Sequence, residues 1–326
     1  MRAAFYDRQG PATEVLQIGE IAESEPGDGE VRVRLTRSGV NPGDVKKRQA
    51  WLDSPMAFDR VVPHSDGAGV IDATGPGVDP ARVGTRVWTY GAQSYRPLGT
   101  AAQSTVVPSD LAVDLPPAVS DSVGASLGIP GITGHRAVFA DGPVEGKTVL
   151  VHGVLGAVGS LAAQLARRGG ATVVGTVRRD TDIARVPASV ADYVVSLESD
   201  AVERIRAVAP DGVDRIIEVA FSANIELDTE VVANNAVIAV YGSPEARPTL
   251  PLWPLLFANV SIRLLGSDDF PPEAKLAAAR DLTAAAAENS DLVPVIDEFP
   301  LDEIAAAHDL VEHGRPTGRV VLTIDA

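Results

Sequence analysis

"TVLVHGVLGAVGSLAAQLARR", residues 148–168, changes character twice within a short span. An apolar, β-branched run enters a turn carrying Gly153, Gly156 and Gly159. An apolar stretch of helical composition leaves it, and we place a helix at Ala157–Arg168. Strand, glycine turn and helix in that order are the context of a diphosphate cradle. Gly153 permits the tight turn off the strand. Gly156 lets the backbone approach a diphosphate with no Cβ in the way, and Gly159 lets the helix pack closely on the strand. The N–H groups of Ala157, Val158 and Gly159 then face the ligand from the positive end of the helix dipole. The spacing is G-x-x-G-x-x-G; the commoner G-x-G-x-x-G would need glycine at Val154. A plain strand–helix turn is the alternative, so the surrounding elements decide.

Those elements alternate. The strands are "TVLVHG", "ATVVGTV", "DYVVSL", "DRIIEVA", "AVIAVYG" and "SIRLLGS". Helices fall between them at Ala157–Arg168, Ala201–Ala209 and Asn224–Ala233, with a shorter piece near Leu252–Phe257. Apolar strands alternating with helices imply a parallel sheet covered on both faces, and right-handed crossovers make it doubly wound. The first third reads differently. "EVRVRLTRSGV" alternates apolar and polar residues, and "AGVIDATGPGV", "GTRVWTYG" and "AAQSTVVPSDLAVDLP" are short strands between Gly, Pro and Asp turns. They suggest a small barrel-like or sandwich-like lobe. "SDSVGASLGIPGITGHRAVFA" reads as a helix capped by Ser120. After the sixth strand, "PPEAKLAAARDLTAAAAEN" and "LDEIAAAHDLVEHG" read as helices, the latter ended by Gly314, and "GRVVLTI" as a closing strand. We expect a β-rich domain over 1–121, a dinucleotide-binding domain over 122–268, and a return segment over 269–326 that completes the first.

Composition narrows the function classes. The formal net charge is −16, which disfavours nucleic acid as the main partner, because neutralising phosphates supplies most non-specific affinity. There is no cysteine, which removes disulfides, thiolate nucleophiles and cysteine-ligated metal. No signal peptide opens the chain and no apolar run approaches the ~20 residues that span a bilayer. The expectation is a soluble, cytoplasmic protein without membrane partners.

The nucleotide is chosen at the end of the second strand of the alternating region. A site for NAD usually places Asp or Glu there to hold the ribose 2′-OH. This chain reads "GTVRRDT": Thr176 lies near the strand end, followed by Arg178 and Arg179. A guanidinium fork matches a 2′-phosphate, which a carboxylate would repel. NADPH is therefore preferred to NADH. Asp180 leaves the other choice open, should the turn bring it to the ribose.

"RSGVNPGDVKKRQ", "VVPHSDGAGVIDATGPGV", "GITGHRAV", the glycine stretch and "GVDRIIEVA" occur in one order, and that order resembles the medium-chain dehydrogenase/reductase superfamily. The similarity is to its zinc-free quinone oxidoreductase, zeta-crystallin-like branch, over essentially the whole chain. It implies a Rossmann domain beside a β-rich GroES-like catalytic domain. In the zinc-dependent branch, metal-binding Cys and His stand where this chain has Asn41 and Ser65, so the resemblance implies a metal-free enzyme. It places Asn41 and Thr133 near the nicotinamide, and Tyr241, Gly242 and Ser243 beside the cofactor. Asn41 precedes Pro42, so a turn role is its alternative. Departures occur at Lys46, where an aromatic residue is frequent, at His64, where Gly is frequent, and at His135, where Tyr or Trp is frequent. They make the site more polar than usual.

The implied activity is hydride transfer from NADPH to a quinone or another conjugated carbonyl. Asn41, Lys46, His64 and Tyr90 are the candidate catalytic side chains, the last three as hydrogen-bond or proton donors; Tyr95 is a further aromatic candidate. Two alternatives stay open: an enoyl or enone reductase tailoring a polyketide-like metabolite, and an NADPH-binding protein with little turnover. A homodimer joined along "SIRLLGS" is expected, since an unpaired strand edge invites pairing.

Overall fold

The computed structural model describes residues 1–198, 200–289, 292–293, 296–314 and 317–325. The chain divides into two compact units, 1–130 with 279–326, and 131–278. The boundaries expected from the sequence, 121/122 and 268/269, lie earlier in the chain than these divisions.

In chain order the first unit begins with β1 (Arg2–Phe5), α1 (Ala12–Val15), β2 (Gln17–Glu20), β3 (Glu30–Val40), α2 (Pro42–Arg48), β4 (Asp66–Thr74), β5 (Arg86–Thr89), β6 (Ser104–Pro108), β7 (Ala112–Asp114) and α3 (Asp121–Leu127). α4 (Ile129–Phe139) carries the chain into the second unit. There β8 (Thr148–Val151), α5 (Ala157–Arg168), β9 (Thr172–Val177), β10 (Tyr193–Ser196), α6 (Ala201–Val208), β11 (Val213–Glu218), α7 (Phe221–Val231), β12 (Val232–Val240), α8 (Leu252–Phe257) and β13 (Ser261–Leu264) follow. α9 (Pro272–Glu288) leads back to β14 (Ile296–Pro300), α10 (Ile304–Asp309) and β15 (Arg319–Thr323).

The first unit is built on a mostly antiparallel sheet in the order β14-β15-β3-β4-β5-β7, with β6 also paired to β3. The return segment enters through β15, which pairs β3 antiparallel from Val320↔Val40 to Thr323↔Arg37. Alternation in β3 puts Val31, Val33 and Leu35 into a core shared with Val87, Val107, Val320 and Leu322. That is the period-2 burial of a sheet with one dry face.

The second unit is a six-stranded parallel sheet, order β10-β9-β8-β11-β12-β13. The order reverses between β8 and β11, the switch point at which open α/β sheets bind ligands. Val149 and Val151 pack on one face of the sheet, and Leu150, Ile216 and Ile238 on the other. Both faces are buried, which is why these strands read as continuous apolar runs.

Two local expectations are corrected. The stretch 121–139 is not one helix. Gly128 turns out of helical geometry (ψ −116°) and separates α3 from α4, although Ser120 caps α3 as expected by accepting from Val123 N. The helix expected from Asn224 starts earlier, at Phe221, and ends at Val231, because the β-branched Val232 opens the longer strand β12. Among the described residues no helix is long and apolar enough to cross a membrane.

Candidate active site

In the second unit the glycine stretch forms a turn into the N-terminus of α5. Gly153 has φ +70°, a left-handed value that favours glycine. A Cβ on Gly159 would lie 2.4 Å from Gly153 O, so only glycine permits this approach of helix to strand. Gly156 is the N-cap and offers no side-chain cap, while Ser160 N donates to Gly156 O. The N–H groups of Ala157, Val158 and Gly159 are therefore left without a capping side chain at the positive end of a twelve-residue helix. A helix N-terminus of this form offers its free N–H groups to an anion.

Beside it, β9 ends on Val177, and Arg178 and Arg179 follow, both exposed and neither ion-paired to another described residue. Asp180, the competing ribose partner, lies 3.7 Å from the Arg204 guanidinium, and its N–H donates to Glu198 Oε2. Thr176 is fully buried; its Oγ1 accepts from Gly153 N at 3.3 Å and contacts His152 Nδ1 at 3.0 Å. Its side chain thus supports the loop from below. After β12, Tyr241 N donates to Glu218 O and Phe221 N to Gly242 O, locking the strand end beside the switch point. A Cβ on Gly242 would meet Val219 O at 2.5 Å. Ser243 Oγ donates to Glu245 O. Thr133 and His135 are buried on α4.

In the first unit Asn41 is the N-cap of α2. Its backbone N–H donates to Asp44 Oδ2 at 2.7 Å, which completes a capping box. Burial pushes the Asp44 carboxyl up to about 7, although Lys47 and the Asn41 N–H oppose the shift. The Asn41 side chain is committed as well. Nδ2 donates to Asp66 Oδ2 at 2.8 Å and Oδ1 accepts from Arg319 Nη1 at 2.7 Å. Arg319 Nη2 also donates to Asp66 Oδ2 at 2.8 Å, and Ile129 N to Asp66 Oδ1 at 2.8 Å. Three donors converge on one buried carboxylate, the condition under which a buried ion pair is compensated. The network explains the break at Gly128: a Cβ there would lie 2.1 Å from Asp66 Oδ1.

His64, expected among the proton donors, is fully buried, with both ring nitrogens engaged. Its φ of +76° is a left-handed value, uncommon for a residue with a side chain. The hydrogen-bond chain has one self-consistent polarity. Thr100 Oγ1 donates to Asp66 O (2.6 Å), so Ser38 Oγ donates to Thr100 Oγ1 (2.7 Å) and accepts from His64 Nδ1 (2.8 Å). His64 Nε2 then accepts from His308 Nε2 (2.9 Å), and His308 Nδ1 accepts from Arg48 Nε (3.4 Å). Arg48 closes the chain on Glu312 at 2.6 Å. Burial, with Arg48 beside it, holds His308 near 3, and burial and His308 keep His64 well below its ordinary range. Two neutral histidines that knit the core are a correction to the reading of His64 as a donor to substrate.

Lys46 is half-buried, its Nζ 4.3 Å from the centroid of the Trp51 ring, with no carboxylate partner among the described residues. Burial lowers its pKa. Tyr90 is buried and its Oη has no hydrogen-bond partner among the described residues; burial, then Asp110, push the phenol up to about 12. Tyr95 is exposed. Sequence reading passed over His152, Asp66, Arg319 and His308. All four stand in quoted stretches whose local pattern marks only an element, and Arg319 and His308 lie hundreds of residues from their partners.

Residues 27–117 match the family model described as alcohol dehydrogenase GroES-like domain, and residues 157–297 the one described as zinc-binding dehydrogenase. The human quinone oxidoreductase is 31% identical over 99% of this chain and 98% of its own length. The mouse quinone oxidoreductase is 30% identical with the same coverage. A crystal structure of an NAD-dependent alcohol dehydrogenase superposes with TM-score 0.88 at 27% identity, covering 100% of both chains. A mycobacterial protein complexed with NADPH gives TM-score 0.86 at 26% identity, covering 99% of both. One of these structures is described as NAD-dependent and the other as complexed with NADPH, so the choice between the cofactors rests on this chain's own residues. The chain belongs to the medium-chain dehydrogenase/reductase superfamily, as a quinone-oxidoreductase-like oxidoreductase with a GroES-like and a Rossmann domain.

Proposed function

We propose that this protein is an NADPH-dependent, zinc-independent reductase of quinones or other conjugated carbonyls. The observation that carries the cofactor choice is the pair Arg178 and Arg179, exposed and without ion-pair partners among the described residues, at the end of β9. Two free guanidiniums suit a 2′-phosphate, and Asp180 is engaged with Arg204. The uncapped N-terminus of α5 holds the diphosphate, and Gly153, Gly156 and Gly159 give it room.

A zinc ion does not fit the first unit at Asn41 and Ser65. A catalytic zinc needs three protein ligands of the Cys, His or carboxylate type. The chain has no cysteine, and the Asn41 amide already bonds Asp66 and Arg319. Without a Lewis acid at that place, an acceptor that is already electrophilic is the natural substrate: a quinone, an enone or an enoyl thioester.

NADPH, when bound, supplies the hydride. The chain's own part is to align it and to answer the charge that develops on the acceptor oxygen. Lys46 is the proton donor we favour: a half-buried ammonium whose pKa burial lowers, with no carboxylate partner among the described residues. Tyr90 Oη is a second donor. Thr133 and the Tyr241–Ser243 segment border the cofactor, and Asn41 holds the N-cap of α2 in place. We further propose a homodimer that forms through the edge of β13.

Steady-state assays with 1,4-benzoquinone, 9,10-phenanthrenequinone and a panel of enones test the acceptor class. Turnover of quinones with NADPH is the expected result. Rapid enone turnover with none of quinones would move the assignment to enone reduction, and NADPH binding without oxidation across the panel would remove the catalytic role.

A further inference from the structure

A buried polar cluster lies beneath the glycine loop, and hydride transfer as proposed makes no use of it. His152 follows β8 and is 1% exposed. Its Nε2 lies 2.8 Å from Asp228 Oδ1, on α7, and 3.5 Å from Glu218 Oε2, at the end of β11. Its Nδ1 lies 3.0 Å from Thr176 Oγ1, the atom that also receives the Gly153 N–H. One imidazole therefore joins the ends of β8, β9 and β11 to α7, at the switch point and one residue before the first loop glycine. Glu218 also accepts from Ala220 N and from Asn224 Nδ2, at 3.1 Å to each oxygen. Both carboxylates are fully buried, and Asp228 Oδ2 has no hydrogen-bond partner among the described residues.

Charge decides what this cluster holds. Two ionised carboxylates around a neutral imidazole would bury two negative charges with one oxygen unpaired, an arrangement that folding does not tolerate cheaply. Nε2 faces both carboxylates, so it carries a proton. The titratable groups facing the cluster are Glu218 from β11, Asp228 from α7 and Tyr241 after β12; Thr176 and Asn224 are neutral. The three ligand atoms lie within 4.8 Å of one another, which a metal ion could also bridge. The 2.8 Å separation of Nε2 and Oδ1 is that of a charge-assisted hydrogen bond, and it favours a proton.

We propose that His152, Asp228 and Glu218 form a proton-holding support for the dinucleotide loop, in which His152 is an imidazolium and Glu218 takes up or releases one further proton. With that proton the cluster is neutral. Without it, a net negative charge lies under the loop that binds the diphosphate and weakens binding. The three are positioning residues, acting on the cofactor through Thr176 and Gly153. Burial, the largest effect, raises the Glu218 carboxyl to about 7 against the pull of His152. Burial opposes the charge on His152, but attraction and hydrogen bonding to Asp228, with Glu218 behind them, raise its pKa. Affinity is thus full below the Glu218 pKa and declines as pH rises through about 7.

This inference rests on the loop being a dinucleotide site. Its test is the NADPH Kd, followed by cofactor fluorescence between about pH 6 and pH 8.5, for the wild type and Glu218→Gln. The comparison cancels titration of the NADPH 2′-phosphate. We expect wild-type affinity to fall at least about fivefold more than that of E218Q over this range. Equal pH dependence in the two proteins overturns the proposal while leaving the cofactor site intact. Absence of NADPH binding at every pH overturns both. Histidine ¹⁵N NMR of the wild type gives a readout independent of the variant: both His152 nitrogens protonated at neutral pH support the cluster, and a neutral ring overturns it. Stoichiometric Zn²⁺ uptake that is lost in His152→Asn also overturns it, by making the cluster a metal site.

Discussion

Lys46 and His64 show how the surroundings of a side chain decide its role. Both are polar, and both stand where the family resemblance implies a different residue. His64 has its two nitrogens committed to Ser38 and His308, whereas Lys46 rests on Trp51 with no anion beside it. Lys46→Met is expected to lower kcat with quinone by about 10²-fold or more, with a smaller change in NADPH Kd. Because a proton donor must be protonated, wild-type kcat should decline as pH rises through the lowered lysine pKa, and the pH–rate profile of the variant should lack that limb. An unchanged profile would remove Lys46 from catalysis. For the histidine pair the readout is stability. Folded-state pKa values below the ordinary imidazole value mean that the unfolded chain binds more protons, so the pair's contribution is present above about 6.5 and is lost as pH falls toward about 3. His308→Leu should therefore show a shallower loss of urea midpoint than wild type over that interval, at unchanged NADPH affinity.

Breaks and ends of elements carry the site at the next scale. α5 was legible to the residue, because a glycine turn, an uncapped start and a basic last turn with Gly169 beyond it all agree. The strands of the parallel sheet were legible because burial on both faces leaves continuous apolar runs. The break at Gly128 was not, because the helical period runs across it and its cause, Asp66, lies far away in the chain. Arg319 was invisible for the same reason: it stands at the start of a plain apolar strand, and only the antiparallel pairing of β15 with β3 brings it to Asn41 and Asp66. Local pattern reveals elements, while a buried ion pair is a fact of topology. Gly128→Ala tests this placement. Its Cβ would meet Asp66 Oδ1 at 2.1 Å, so we expect a destabilisation of about 2–3 kcal/mol in urea unfolding. A change of a few tenths would show that the network can shift to admit a methyl group.

At the scale of the whole molecule, the parallel sheet leaves β13 paired, among the described residues, only to β12. Leu264 on that strand is 77% exposed, and Phe257 and Trp253 on the preceding α8 are 74% and 64% exposed. An open strand edge flanked by large apolar side chains is a surface that a second copy can cover. Light scattering is expected to give a dimer, and Leu264→Lys to shift it toward monomer without loss of secondary structure; a wild-type monomer would refute this. The central claim, that the cradle and the arginine pair select NADPH for hydride transfer, is tested by the ratio of kcat/KM for NADPH over NADH with 9,10-phenanthrenequinone. The wild type should prefer NADPH, and Arg178→Ala with Arg179→Ala should reduce that preference by about 10- to 100-fold, the loss of charge-assisted hydrogen bonds to one phosphate. A wild-type ratio at or below one, or a ratio unmoved by the double substitution, would contradict it.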